Sequence, residues 1–193
     1  TITPDMLFPS VACLVQQKIG ARRAAAFDLE AACSGFIYGL EVGQQFIMSH
    51  TYDTVLVIGA EKLSSIVDWT DRNTCVLFGD GAGAVVLKPC DDPDRGILSV
   101  AIGADGDYGD ILCMPAGGSR LPATHETVEQ HLHHIHMNGN EIFKVAVRGM
   151  EQILREAMRR AGVTQDDIDL LVPHQANLRI IDAMARRLEM PPA

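Results

Sequence analysis

Two continuous apolar runs of strand length, TVLVIG at residues 54–59 and GAVVLK at 83–88, constrain this chain most. Neither approaches the roughly 18 apolar residues that a membrane span needs. AAAFDL at 24–29 reads as a further short buried strand. Residues 34–49 read as a helix, because Phe36, Ile37, Leu40 and Phe46 or Ile47 recur at helical spacing. A strand, helix, strand succession predicts a right-handed crossover and a mostly parallel sheet covered on both faces, hence an α/β protein.

Downstream, residues 103–125 are rich in Gly, Asp and Pro and read as loop. The stretch ETVEQHLHHIHMNG is ambiguous, with the alternation around His134, Ile135, His136 and Met137 favouring an extended segment. A strong helical pattern then begins at Asn140, a candidate N-cap, and stops at Gly162, a candidate residue just past the helix end. Thr164 and Asp167 fit a capping-box-like turn before a strand IDLLVPH, and a last helix is expected to bury Leu178, Ile181, Ala185 and Leu188. No short-period repeat is present.

The 193 residues, 47% of them hydrophobic, suffice for one sizeable domain with its own core. Five cysteines without CxxC spacing suggest neither a disulfide framework nor a zinc cage, so no metal is expected and the thiols read as reduced. No secretory signal pattern is visible, and a cytoplasmic location is the expectation. The net charge of -9 argues against nucleic-acid binding, although the charge is uneven. From Lys144 onward eight basic residues meet seven acidic ones, whereas the first 143 residues carry eight against eighteen. A locally basic final third suits an anionic partner; solvated helix faces are the plainer reading. The chain starts without Met and stops at PPA just after an apparent helix, so it reads as a fragment.

Several residues invite a chemical reading. Cys33 lies where a strand runs into a helix, and a helix N-terminus with nearby free amides favours thiolate over thiol. The Ser34-Gly35 that follows lets backbone approach closely, as an oxyanion site requires. The competing reading is a small buried side chain. His174 ends a second strand in VPHQANLRI, and an imidazole there can donate a hydrogen bond to a carbonyl or move a proton; a structural histidine is the alternative. Two parallel strands ending near each other would bring Cys33 and His174 together. FGDGAGAVVL contains Gly79, Asp80, Gly81 and Gly83, but a strand follows where a phosphate loop needs a helix, so it reads as a tight turn. His131, His133, His134 and His136 lack partners at ligand spacing. Arg148 and Arg155, like Arg179 and Arg186, are seven apart and can share a helix face, making with Lys144 a basic surface near His174.

Taken together, DLEAACSGFIYGL, TDRNTCVLFGDGAGAVVL, MNGNEIFKVAV and LVPHQANLRIIDAMARRL closely resemble β-ketoacyl-[acyl-carrier-protein] synthase III, the initiating condensing enzyme of bacterial type II fatty-acid synthesis, over essentially the whole chain. The resemblance implies a thiolase-like α/β fold of five layers, α-β-α-β-α, here incomplete at both ends. Residues 1–193 would form a partial domain, with about 1–100 from the N-terminal half and about 101–193 from the C-terminal half. It implies an acyltransferase in which Cys33 takes the acyl group of an acyl-CoA, typically acetyl-CoA, and passes it to malonyl-acyl carrier protein with loss of carbon dioxide. His174 would help to stabilise the enolate. Arg72 resembles the arginine near the CoA adenine, Asn177 and Gly139 residues along the pantetheine tunnel, and Phe78 a wall of the acyl pocket. Phe143 and Ala176 also fall among substrate-binding positions. Phe8 resembles an aromatic that enters the partner subunit's pocket in a homodimer, and Lys144, Arg179 and Arg186 fall on the carrier-docking surface. No cofactor is implied, acyl-CoA being a substrate.

The sequence departs from the family in what it lacks. The family's catalytic asparagine and second oxyanion-hole glycine loop are expected beyond Ala193, and the tryptophan and arginines that grip CoA before Thr1. The loop around 117–132 is longer than is common. The alternatives are a related condensing enzyme of secondary metabolism, a noncatalytic dimerising piece, and a cysteine hydrolase. The last is disfavoured because no orienting Asn or Asp accompanies the histidine.

Overall fold

The computed structural model describes residues 1–92 and 95–189, which divide into two compact units. The first comprises residues 1–65 and 79–96, the second 66–78 and the rest from 97.

In the first unit, helix α1 (Val11–Lys18) starts where its exposed amides find acceptors. Ser10 Oγ accepts from Cys13 N at 3.2 Å, and the Asp28 carboxylate accepts from Val11 N and Ala12 N, each at 2.8 Å. Strands β1 (Val55–Lys62) and β2 (Asp80–Leu87) form a two-stranded antiparallel ladder from Val55↔Leu87 to Lys62↔Asp80. Helix α2 (Gly35–Met48) packs on this ladder through Gly39 and Gly43. A Cβ at Gly39 would lie 2.8 Å from Val57 Cγ1, and one at Gly43 2.8 Å from Leu87 Cδ1 and 3.2 Å from Val55 Cγ1. Two glycines four residues apart therefore share the face that closes on the sheet. The far end of β1 is fastened by Glu61, whose carboxylate accepts from Ile2 N at 3.0 Å and Thr3 Oγ1 at 2.8 Å.

The expected parallel arrangement is corrected here. The chain between β1 and β2 contains one 3₁₀ turn (Leu63–Ser65), other turns and bends but no crossover helix, so β2 returns antiparallel. Residues 24–29 run without a ladder partner among the described residues. Nor is the sheet covered on both faces: Val57 is buried beneath α2, while Leu56, Ile58 and Val86 remain exposed. Gly81 and Gly83 lie within β2 itself rather than in a turn.

In the second unit, β3 (Leu112–Cys113) pairs antiparallel with β4 (His136–Met137), which ends the extended segment expected there. Helix α3 (His125–Glu129) opens on a reciprocal capping box between Thr124 and Thr127. Helix α4 (Gly139–Ala161) ends at Gly162, whose φ of 70° is the left-handed value that a Cβ would disfavour. Its N-cap is Asn138, two residues before the expected Asn140, and Asn138 Oδ1 accepts from Glu141 N at 3.4 Å. Thr164 and Asp167 form the predicted capping box, enclosing a single 3₁₀ turn.

Two expectations fail after that turn. Residues 168–174 form no strand, and Leu170 and Val172 are each 76% exposed, because no neighbouring chain among the described residues offers them a ladder. Helix α5 (Leu178–Arg187) buries Ile180, Met184 and Leu188 rather than Leu178, Ile181 and Ala185. Its stripe is set by packing on Val147 of α4, with Met150, Leu154 and Ala183 around that cluster.

Candidate active site

Cys33 sits in the 3₁₀ turn Ala32–Ser34 that leads directly into α2. Ala32 just before it has φ +44°, a left-handed conformation that a residue with a Cβ rarely adopts. The backbone thus turns sharply at the thiol, and no side chain caps this helix start. Cys33 is exposed as a residue, yet crowding by the surrounding protein pushes its thiol pKa up. Its own backbone N–H opposes that shift, and the Glu61 carboxylate on β1 adds to it. The expectation that the helix terminus favours thiolate is therefore reversed: removal from water outweighs the amide.

The second unit carries His174. It lies exposed on the segment leading into α5, where its carbonyl accepts from Ala176 N at 3.0 Å. Three residues on, Asn177 caps α5 by accepting from Ile180 N through Oδ1 at 3.0 Å. That bond orients the side-chain amide and leaves its NH₂ donors unused among the described residues. Ala176 packs against the α4–α5 core, which ties this segment to the helix pair. Cys33 and His174 thus belong to different units.

Arg72 stands exposed at the tip of a turn pinned by two aspartates. Asp71 accepts from Asn73 N at 3.0 Å and Thr74 Oγ1 at 2.9 Å, while Asp68 accepts from Thr70 N at 2.8 Å and Thr70 Oγ1 at 2.6 Å. These bonds hold the Asp71 carboxyl below its ordinary range. Phe78, at the end of the same segment, is half-buried. Phe8 is 84% exposed in the first unit, and Gly139 opens α4, with Phe143 one turn further along the helix.

Lys144 and Arg186 converge, with Arg148 and Arg187, on an open groove of about 500 Å³ between α4 and α5. Phe143, Val147 and Ala183 supply its apolar lining. Arg179 is not among the lining residues; it lies two turns before Arg186 on α5, about 10 Å along the axis. Arg155 is also outside the groove, donating to Glu151 and to the Arg187 carbonyl. Sequence spacing missed Arg187, although it adjoins Arg186, because only the pairing of α4 with α5 turns both toward one groove.

Three of the four histidines in this stretch are occupied structurally, while His134 Nδ1 is buried without a hydrogen-bond partner among the described residues. His131 Nδ1 lies 2.7 Å from Asp68 Oδ2, His133 Nε2 lies 2.9 Å from Thr127 Oγ1, and His136 Nε2 lies 3.2 Å from the His131 carbonyl. Among the described residues no group of three or more His, Cys, Asp or Glu has an arrangement that holds a metal ion. No helix among them is long and apolar enough to cross a membrane.

A cysteine at a helix start in a mixed α/β framework is the setting of the thiolase fold, and comparison with known proteins supports that class. The crystal structure of 3-oxoacyl-[acyl-carrier-protein] synthase III from Aquifex aeolicus VF5 matches with a TM-score of 0.85 at 48% identity, covering 97% of this chain and 56% of that one. The structure of the corresponding Thermus thermophilus synthase matches with a TM-score of 0.88 at 45% identity, covering 98% and 57%. The family model for 3-oxoacyl-[acyl-carrier-protein (ACP)] synthase III matches residues 27–106, and the model for its C-terminal part residues 158–193. β-Ketoacyl-[acyl-carrier-protein] synthase III of Natranaerobius thermophilus is 58% identical over 190 residues, which are 97% of this chain and 58% of that protein. The chain belongs to the β-ketoacyl-[acyl-carrier-protein] synthase III family. It spans a little under three-fifths of the length of the curated relatives it matches.

Proposed function

We propose that the protein carrying this chain is an acyltransferase that condenses an acyl-CoA primer with malonyl-acyl carrier protein and so starts fatty-acid synthesis. The observation that carries the reading is Cys33, set in a sharp turn at the start of α2 after the left-handed Ala32. In this reading the Cys33 sulfur attacks the thioester carbonyl of acyl-CoA, an acyl–sulfur bond forms on the enzyme, and CoA leaves as its thiol. The free amides at the start of α2 suit the oxyanion that develops. Burial raises the Cys33 thiol pKa, so acylation should accelerate as pH rises.

In the second half-reaction, malonyl-carrier protein loses carbon dioxide. The resulting enolate attacks the acyl–Cys33 thioester, the new carbon–carbon bond forms, and the Cys33 sulfur leaves. His174 donates a hydrogen bond to the enolate oxygen, while Asn177, oriented by its cap, lines the pantetheine path with Gly139, Ala176 and Phe143. Arg72 meets the nucleotide end of CoA, and Phe78 bounds the acyl pocket. The groove of Lys144, Arg148, Arg186 and Arg187 receives the acidic carrier protein, with Arg179 further along α5. Phe8, exposed here, fits a pocket of a second subunit in a homodimer. The chemistry calls on no cofactor, and its substrates are those of the cytoplasm.

The test is condensation of radiolabelled acetyl-CoA with malonyl-carrier protein by the protein carrying this chain. Labelled 3-oxoacyl-carrier protein is expected; Cys33→Ala should abolish it and His174→Ala should lower it by about 10² or more, as for a lost oxyanion donor. Unchanged turnover in Cys33→Ala would overturn the proposal.

A further inference from the structure

The four cations of the α4–α5 groove are not equivalent. The Arg186 guanidinium has no hydrogen-bond or ion-pair partner among the described residues. Lys144 Nζ is 3.0 Å from Glu141 Oε1, but both side chains are largely exposed, at 70% and 48%, so this pair separates readily. Arg148 donates from Nη2 to the neutral Tyr108 hydroxyl at 2.9 Å, which leaves its charge uncompensated. Arg187 differs from all three, because its Nη1 donates to Glu151 Oε2. The other oxygen of Glu151 accepts from Arg155 Nε and Nη2, both at 3.1 Å. Arg155 Nη2 also donates to the Arg187 carbonyl at 3.4 Å, closing a triangle between mid-α4 and the end of α5. Glu151 is only 21% exposed, less than any other acidic residue paired along these two helices.

We propose that Glu151 tunes the affinity of the groove for an acidic carrier by withholding Arg187 from it. This rests on the carrier-docking reading above. A carboxylate or phosphate approaching Arg187 must displace Glu151 or share the guanidinium with it, and in either case meets a negative charge fixed at the groove edge. Docking therefore draws on Arg186, Lys144 and Arg148, while Arg187 contributes little until Glu151 is removed. The arrangement keeps the complex short-lived, as a carrier that must deliver its cargo and leave requires.

The experiment is fluorescence anisotropy of labelled phosphopantetheine-bearing acyl carrier protein against this chain and its variants across a series of salt concentrations. Glu151→Gln should tighten binding about two- to five-fold and steepen its salt dependence. Arg187→Gln should change binding less than about two-fold in the unsubstituted background, yet remove the whole gain when combined with Glu151→Gln. Equal or weaker binding by folded Glu151→Gln, with Arg186→Ala impaired, would overturn the proposal and leave the docking reading standing. Should Glu151→Gln not fold, Arg187→Gln decides, since a loss above about five-fold would show Arg187 already engaged. Unimpaired binding by Arg186→Ala, or none by the unsubstituted chain, would remove the docking reading and this proposal together.

Discussion

Placing alanine at Gly35, Gly39 and Gly43 of α2 separates helix propensity from packing, and the structure predicts opposite signs. Gly35, the first residue of α2, is helical with φ -54°, and a Cβ there meets nothing within 4 Å, so Gly35→Ala should stabilise slightly, by less than the roughly 1 kcal/mol of a helix interior. At Gly43, in the helix interior, a propensity gain of up to about 1 kcal/mol is opposed by contacts of 2.8 Å with Leu87 Cδ1 and 3.2 Å with Val55 Cγ1. Overpacking of this kind costs about 1–3 kcal/mol, giving a net loss of roughly 0–2 kcal/mol for Gly43→Ala. At Gly39 the obstacle is Val57 Cγ1 at 2.8 Å, on a β-branched side chain that cannot rotate freely within a strand. Gly39→Ala should therefore be at least as costly. For a chain of this size each kcal/mol moves the melting midpoint about 2–4 °C, within reach of thermal denaturation followed by circular dichroism. Because α2 begins at the Cys33 turn, lifting it from the sheet should also change the alkylation rate of Cys33. Equal stabilisation by all three substitutions would refute the close packing of α2 on β1 and β2.

Two further outcomes follow from charge. The Cys33 thiol has its pKa raised by burial and, in part, by Glu61, so its alkylation by iodoacetamide should reach half-maximal rate above the ordinary cysteine pH. Glu61→Gln should move that midpoint down, and a midpoint unaffected by the substitution would refute the contribution of Glu61. Glu156 is held at a pKa of about 2 by hydrogen bonds from Arg159 and then Arg160, against 4.5 ordinarily. A carboxylate depressed in this way stabilises the fold above its unfolded pKa, and the contribution is lost as pH falls from about 4.5 toward 2. Glu156→Gln should thus flatten the acid limb of the stability curve in that window, and an identical limb would contradict the pairing.

Local signals in the sequence carried far where the controlling interaction was itself local. Gly162 ends α4 in the left-handed conformation that its position suggested, and Thr164 with Asp167 forms the anticipated box. The start of α4 was placed two residues late: Asn140 was the expected N-cap, whereas Asn138 is the residue whose side chain accepts from Glu141 N. The readings that failed depend on distant partners. The direction of β2 is set by the route the chain takes through residues 63–79, and the buried stripe of α5 by contact with Val147, so period alone placed Leu178 on the wrong side. Cys33 and His174 stood out through four ordered motifs rather than through local chemistry. The expected thiolate was reversed because crowding around a side chain, unlike a helix start, leaves no trace in sequence spacing. The groove combines both cases: Lys144 and Arg186 were legible, whereas Arg187 and its tie to Glu151 emerge only when α4 and α5 pack.

The central claim is that Cys33 accepts the acyl group, and intact-protein mass spectrometry after incubation with acetyl-CoA, followed by peptide mapping, tests it most directly. One acetyl group on the peptide containing Cys33, absent from Cys33→Ala and increasing with pH, is the predicted result. Acetyl groups spread over Cys13, Cys75, Cys90 and Cys113 as readily as over Cys33, or no adduct at all, would contradict it.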